Sequence, residues 1–306
     1  MFIDFITRIE NENLHLAGIA VQQHGKFLGE HRWLADVPHL LFSLSKSFTS
    51  SAVGMAVDEG LLHLSDRLSD FFPDLVETLP DPTLRNMTLR DILIMSSGHD
   101  RAYLSVDQRE YIMDPDWPHF FLSQPIPYQP GTYFYYDTGC TYAAGAMVSK
   151  VSGQKLVDFL MPRLFTPFGI ERPVWEECPM GRNIGGSGLY LRTKDLLKFG
   201  QMYLQKGIWE GKQLLSEQWI KEATNFQIPS HDCGSTLPHP DWECGYGYQF
   251  WLNRNGTYRA DGMNSQFCII DEELDAVIAV TANEPKSQDV LNAIWDTVRP
   301  KLAFTF

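Results

Sequence analysis

Hydrophobic and polar positions alternate in two short stretches near the start of the chain. Ala17 to Gln22 and Lys26 to Trp33 flank the turn pair His24-Gly25, which predicts a β-hairpin. An apolar helical pattern follows from about Ser45 to Glu59 and ends at Gly60, a residue suited to close a helix. From about Leu61 to Phe168 the pattern breaks into short helical pieces separated by proline: Thr88 to Met95, Gln108 to Met113, Thr141 to Val151 and Lys155 to Phe165. Thr193 to Lys206 reads as an amphipathic helix, with Asp195 in its first turn and Gly207 at its end. Alternation returns in Tyr246 to Leu252, Thr257 to Ala260, Gln266 to Ile270 and Ala276 to Ala282, joined by Asn255-Gly256 and Asp271-Glu272-Glu273. A helix over about Ser287 to Val298 closes the chain.

Strands at both ends with helices between them predict an α/β (α+β) chain with one antiparallel sheet built from both termini. The expected division is a sheet domain of residues 1–60 and 169–306 and a mostly helical insertion of residues 61–168. A length of 306 residues with 44% hydrophobic and 21% charged positions is that of a globular chain, which excludes a disordered, collagen-like or coiled-coil protein. Lys and Arg number 25 against 38 Asp and Glu, a formal charge of −13, so no counterion-release affinity for nucleic acid or anionic membranes is expected. The N-terminal apolar stretch is interrupted by Asp4 and Arg8 and lacks a small-residue cleavage site, so it does not read as a signal peptide. The longest uncharged run, Trp117 to Tyr136, carries Pro118, Pro125, Pro127 and Pro130 and is not a membrane span. Five cysteines make no disulfide framework; with the missing export signal they suggest the cytoplasm.

The candidate chemistry lies in Leu41-Phe42-Ser43-Leu44-Ser45-Lys46. One helical turn puts Ser43 and Lys46 on the same face. A serine hydroxyl needs a base, and a desolvated lysine with a lowered pKa can supply it. The apolar approach through Leu40, Leu41 and Phe42 and the apolar helix beyond would bury Lys46. On the spacing alone Ser43 reads either as a nucleophile or as a helix cap. Ser152 and Lys155 repeat the spacing, with Ser152 placed to cap the following helix.

In this context the chain resembles the serine β-lactamase and penicillin-binding-protein superfamily, in particular its branch of class C β-lactamases, D-peptidases and related esterases. Ser43-Leu44-Ser45-Lys46-Ser47-Phe48-Thr49 matches the nucleophile helix, and Leu93 to Gly98 matches a stretch of the inserted region. Pro130-Gly131-Thr132 followed by Tyr136-Asp137-Thr138 resembles the Pro-Gly segment and the Tyr-x-Asn motif. Gly185 to Leu189 followed by Asp195-Leu196 resembles the glycine-rich segment and its helix, and Ala260-Asp261-Gly262 stands at the Lys/His-x-Gly strand motif. The resemblance implies an acyl-enzyme formed on Ser43, with Lys46 easing its deprotonation. Tyr136 would carry the proton to the leaving group and later activate water, drawing on the positive charge of Lys46. Backbone N–H groups of Ser43 and Met263 would hold the oxyanion, and Gly262 would let substrate approach the strand. For Tyr136 a pocket-wall aromatic is the alternative reading.

Two departures shape the expected substrate. Thr138 replaces the asparagine, keeping a hydroxyl and losing an amide. Ala260-Asp261 replaces the Lys-Thr or His-Thr pair, and an aspartate repels an anion. A small-molecule ester, neutral amide or substrate with a free amine is therefore expected, without metal or organic cofactor. Arg259 would restore an anion site under a different strand register. A true β-lactamase or D-Ala-D-Ala carboxypeptidase is the alternative enzyme, and an acylatable penicillin-binding sensor or inactive relative the alternative of another class. The His231 to Cys244 stretch gathers possible metal ligands without zinc-site spacing and reads as an exposed loop. Trp242, Tyr246 and Tyr248 read as core or pocket aromatics, and Lys150 and Lys155 as surface charges.

Overall fold

The computed structural model describes residues 1–76, 82–231 and 239–304. The elements that position the site are α1 (Ile3–Asn11), β1 (Leu16–Gln23), β2 (Lys26–Arg32), α2 (Ser45–Asp58), α3 (Thr138–Ser152), α4 (Thr193–Leu204), β3 (Trp251–Leu252), β4 (Tyr258–Gly262), β5 (Gln266–Asp271), β6 (Ala276–Ala282) and α5 (Ser287–Thr297). Six strands form one antiparallel sheet in the order β2-β1-β6-β5-β4-β3, so the N-terminal hairpin docks on the last strand of the chain. The protein is thus a mixed α/β fold whose antiparallel sheet is built from both termini.

Alternation sorts the sheet residues between two apolar layers. Ile19 and Val21 of β1, Phe267 and Ile269 of β5, and Ile278 and Val280 of β6 pack with Phe5 and Ile9 of α1 and Val290, Leu291 and Ile294 of α5. Ala20, Cys268, Ile270, Val277 and Ala279 face Leu196 and Phe199 of α4 and the larger core that continues into the helices. α1 is a helix absent from the predicted elements. Its signal is present as Phe5 and Ile9, four residues apart, both fully buried.

Three local expectations are corrected. Ser152 does not cap the following helix: it is the last residue of α3, its hydroxyl donates to the Val148 carbonyl at 2.7 Å, and Gly153 at φ +68° stops the helix. Lys155 holds the capping position instead, and the helix over Leu156–Leu160 passes into a wider turn at Met161–Phe165. The strand expected over Tyr246 to Leu252 shrinks to β3, because Gln249 adopts φ +67° and Gly247 bonds back to Phe250, making a turn. The piece at Gln108 to Met113 is one 3₁₀ turn over Arg109–Tyr111. No helix among the described residues is long and apolar enough to cross a membrane.

Candidate active site

α2 runs through the middle of the molecule, and every residue from Ser45 to Ala56 is buried. A helix buried all round cannot leave its polar side chains in water, and all but Ser50 bond inward. Ser47 Oγ donates to the Gln249 carbonyl at 2.7 Å, Thr49 Oγ1 to the Gly185 carbonyl at 2.9 Å, and Ser51 meets the Tyr203 hydroxyl at 2.8 Å. Gln249, which belongs to none of the motifs above, also joins Thr141 of α3 at 2.5 Å and the Leu93 carbonyl at 2.7 Å. Its backbone carbonyl and side chain together fix α2, α3 and the Leu93 turn against one another.

Just before α2, a 3₁₀ turn over Phe42–Leu44 presents Ser43. Phe42 sits at φ +47°, an uncommon conformation for a bulky residue that costs about 1–3 kcal/mol. The turn is held from behind by β4. A Cβ added to Gly262 would lie 2.1 Å from the Leu41 carbonyl oxygen and 3.0 Å from the Leu44 nitrogen. Gly262 therefore serves the fit between β4 and the Ser43 turn. Met263, the next residue, is half-exposed at the cavity wall.

Lys46 is 1% exposed, and its Nζ lies 3.0 Å from Ser43 Oγ, 3.1 Å from Thr138 Oγ1 and 2.8 Å from the Gly186 carbonyl. Burial lowers its pKa from 10.5 to about 7, with a smaller push from the Arg109 cation; Asp137, Cys140 and Asp261 pull the other way. The three contacts fit a neutral amine. The Gly186 oxygen only accepts and so takes one N–H, the second can go to Thr138, and the lone pair faces Ser43. Thr138, in place of the motif's asparagine, thus keeps the contact to Lys46. It opens α3, where Asp137 Oδ1 accepts the N–H groups of Gly139 and Tyr103, both at 2.8 Å.

The Tyr136 ring stands 5.0 Å from Lys46 Nζ and packs on Trp251 and Tyr246. Burial holds its hydroxyl proton on, well above the ordinary pKa of 10, and Asp261 adds to this. Hydrogen bonds with Ser43 and Trp251 work against it. The group near Ser43 is therefore a phenol. The expectation that positive charge would bring this residue toward phenolate is not met, because desolvation is the larger effect.

Ser43, Tyr136, Thr138, Asp261 and Met263 line one cavity of about 640 Å³, with Phe42, Val106, Trp242, Trp251 and Pro285 among its apolar walls. Lys46 lies beneath Ser43. Arg259 and Asp261, two apart on β4, share a strand face, and Arg259 Nε donates to Asp261 at 2.7 Å. Arg259 is fully buried, so it restores no anion site, and Asp261 is a paired carboxylate instead of a lone one. Of the aromatic trio, Trp242 reaches the cavity while Tyr246 and Tyr248 are core. Within the stretch that gathers possible metal ligands, residues 232–238 lie outside the described residues. Among the described residues no group of three His, Cys, Asp or Glu side chains is arranged for a metal ion.

Known proteins share sequence and fold with this chain. The chain is 25% identical to a 6-aminohexanoate-dimer hydrolase of Paenarthrobacter ureafaciens over 268 residues, 82% of this chain and 67% of that protein. It is 31% identical to a lovastatin esterase of Penicillium rubens over 157 residues, 45% of this chain but only 39% of the esterase. The structure of a penicillin-binding protein homologue from Caulobacter crescentus superposes with a TM-score of 0.74, covering 97% of each chain at 15% identity, a likeness of fold. The Beta-lactamase family profile matches residues 7–299, and the chain belongs to that family.

Proposed function

We propose that this protein is a serine hydrolase that cleaves an ester or amide through an acyl-enzyme on Ser43. The observation that carries this reading is the Lys46 amine, buried, 3.0 Å from Ser43 Oγ and with its pKa brought down to about 7. In the neutral form it takes the hydroxyl proton as Oγ attacks the carbonyl carbon. The oxyanion formed accepts from the backbone N–H groups of Ser43 and Met263, on two segments that Gly262 brings into contact. As the tetrahedral adduct collapses, the Tyr136 phenol gives its proton to the departing alcohol or amine and recovers one from the Lys46 ammonium. Water then attacks the acyl carbon, passing its proton back along the same groups and releasing the acid and Ser43.

An ester or amide without a carboxylate beside the reacting carbonyl suits a wall that carries Asp261 better than a penicillin does. The similarity to proteins named as a 6-aminohexanoate-dimer hydrolase and a lovastatin esterase supports hydrolysis. The test is intact-mass analysis after treatment with a fluorophosphonate, wild type against Ser43→Ala, followed by turnover of a short-chain p-nitrophenyl ester and of benzylpenicillin. A single adduct on the wild type, none on the variant, and sustained ester turnover exceeding that of penicillin is the expected result. A burst of acylation without turnover points to an acylatable sensor, and rapid penicillin hydrolysis without esterase activity to a β-lactamase.

A further inference from the structure

The cavity in front of Ser43 carries a charge asymmetry that acyl transfer itself does not require. Two carboxylates, Asp107 at the exposed rim and Asp261 on β4, are among its lining residues; no lysine or arginine is, among the described residues, and His239 is the other ionisable side chain there apart from tyrosines. The nearby cations have other partners, although Nη2 of Arg109 and Nη2 of Arg259 are buried without one. Lys46 faces Ser43, Thr138 and Gly186. Arg109 gives Nε to the Leu104 carbonyl at 3.0 Å. Arg259 gives Nε to Asp261, Nη1 to the Asp241 carbonyl at 2.8 Å and to Asn253 Oδ1, and its guanidinium lies 4.3 Å from the Trp242 ring.

The Asp261 side chain is 10% exposed yet reaches the cavity wall. The Arg259 guanidinium at ion-pair distance offsets the lost hydration of this carboxylate. Arg259, itself out of reach of any ligand, is thus the device that keeps a negative charge in an otherwise apolar wall. Asp261 favours the protonated forms of both Lys46 and Tyr136, against a larger opposite influence of Arg109 on Lys46 and an opposing one of Arg259 on Tyr136. A group bound against Ser43 lies in the same field.

Resting on the serine-hydrolase reading, we propose that Asp261 sets the charge selectivity of this cavity. Substrates with an ammonium group near the reacting carbonyl are accepted, and substrates with a carboxylate there are rejected. Like charges brought together in a desolvated site repel strongly enough for the discrimination to be measured.

The experiment uses three p-nitrophenyl esters of matched chain length: hexanoate, 6-(trimethylammonio)hexanoate and hydrogen adipate. In wild type the kcat/KM ratio of cationic to anionic ester is expected at about tenfold or more. Asp261→Asn brings the ratio within about threefold or reverses it, Asp261→Glu retains it, and Asp107→Asn, at the solvated rim, moves it less than Asp261→Asn. The wild-type ratio needs no variant, so a poorly folding Asp261→Asn does not rescue the idea. Hydrolysis of all three wild-type esters at similar rates overturns the selectivity and leaves the hydrolase reading intact. So does an unchanged ratio in Asp261→Asn, or a ratio that vanishes with Asp107→Asn alone. Failure to hydrolyse any of them, with no fluorophosphonate adduct, brings down both.

Discussion

Two deeply buried basic side chains lie near the reacting centre, and the protein treats them in opposite ways. Lys46, on α2, is surrounded by a hydroxyl, a second hydroxyl and a carbonyl, none of them charged. Arg259, on β4, has a carboxylate 2.7 Å away and further acceptors on Nη1. Neutral acceptors do not offset the lost hydration of an ammonium, so Lys46 gives up its proton near pH 7. A guanidinium stays protonated whatever surrounds it, and the Asp261 carboxylate 2.7 Å away offsets its lost hydration. The difference teaches that burial alone does not make a base; the side chain must be able to lose its proton, as an amine can and a guanidinium cannot, and its neighbours must leave the charge unpaired.

The most severe way to break the contrast is at Lys46. Lys46→Met keeps the length and removes the base, and kcat/KM is expected to fall about 10³–10⁴-fold. Lys46→Arg should fare no better, because a guanidinium does not deprotonate. Wild-type kcat/KM should rise through about pH 7 as the amine loses its proton. Stability carries the same signature. Between about 7 and 10.5 the unfolded chain holds the Lys46 proton and the folded chain does not, so this residue makes the protein more stable as pH rises. Denaturant titrations should therefore show the stability of Lys46→Met minus that of wild type shrinking across that window. A difference independent of pH would mean the folded lysine keeps its charge.

Arg259 should respond chiefly in stability. Arg259→Met strands Asp261 in the wall and deprives Asn253 and the Asp241 carbonyl of a donor. Removing one partner of a buried pair costs about 3–5 kcal/mol, read as a lowered denaturation midpoint. A loss within about 0.5 kcal/mol would show that the pair is not the buried unit described above.

Tyr136 connects the two regions, with its ring 5.0 Å from Lys46 and its hydroxyl in the field of both Asp261 and Arg259. Tyr136→Phe should cost about 10²-fold in kcat/KM on an alkyl ester or amide and much less on a p-nitrophenyl ester, whose phenolate departs without a proton. Equal losses on both would assign the ring a packing role.

How much of this is legible in the sequence differs between the same regions. The sheet is readable because two-residue alternation and turn pairs are local signals, and β1, β2, β5 and β6 fall close to where the pattern puts them. Ser43 and Lys46 are readable as one helical turn. The reason the lysine is neutral is not: Thr138 and Gly186 lie 92 and 140 residues away, and no local pattern places them. Arg259 and Asp261 do carry a signal. Opposite charges two apart on a strand share a face, and that spacing by itself favours their pairing. Asp261 reads as a bare anion only when its place in the motif is taken without its neighbour on the strand.

The mildest perturbation tests the account of Lys46 most finely. Thr138→Val keeps the shape at the start of α3 and removes one of three partners of the amine. The ammonium form has three N–H groups to satisfy and the neutral amine two, so the loss falls harder on the charged form. A hydrogen bond of this kind is worth about 1 kcal/mol, which corresponds to roughly 0.7 of a pKa unit. The rising limb of the pH profile should therefore move below the wild-type position near 7, with plateau kcat/KM reduced by less than about tenfold. A limb displaced upward would show that Thr138 had been favouring the neutral amine, and that the fit of donors and acceptors around Lys46 is the reverse of the one described.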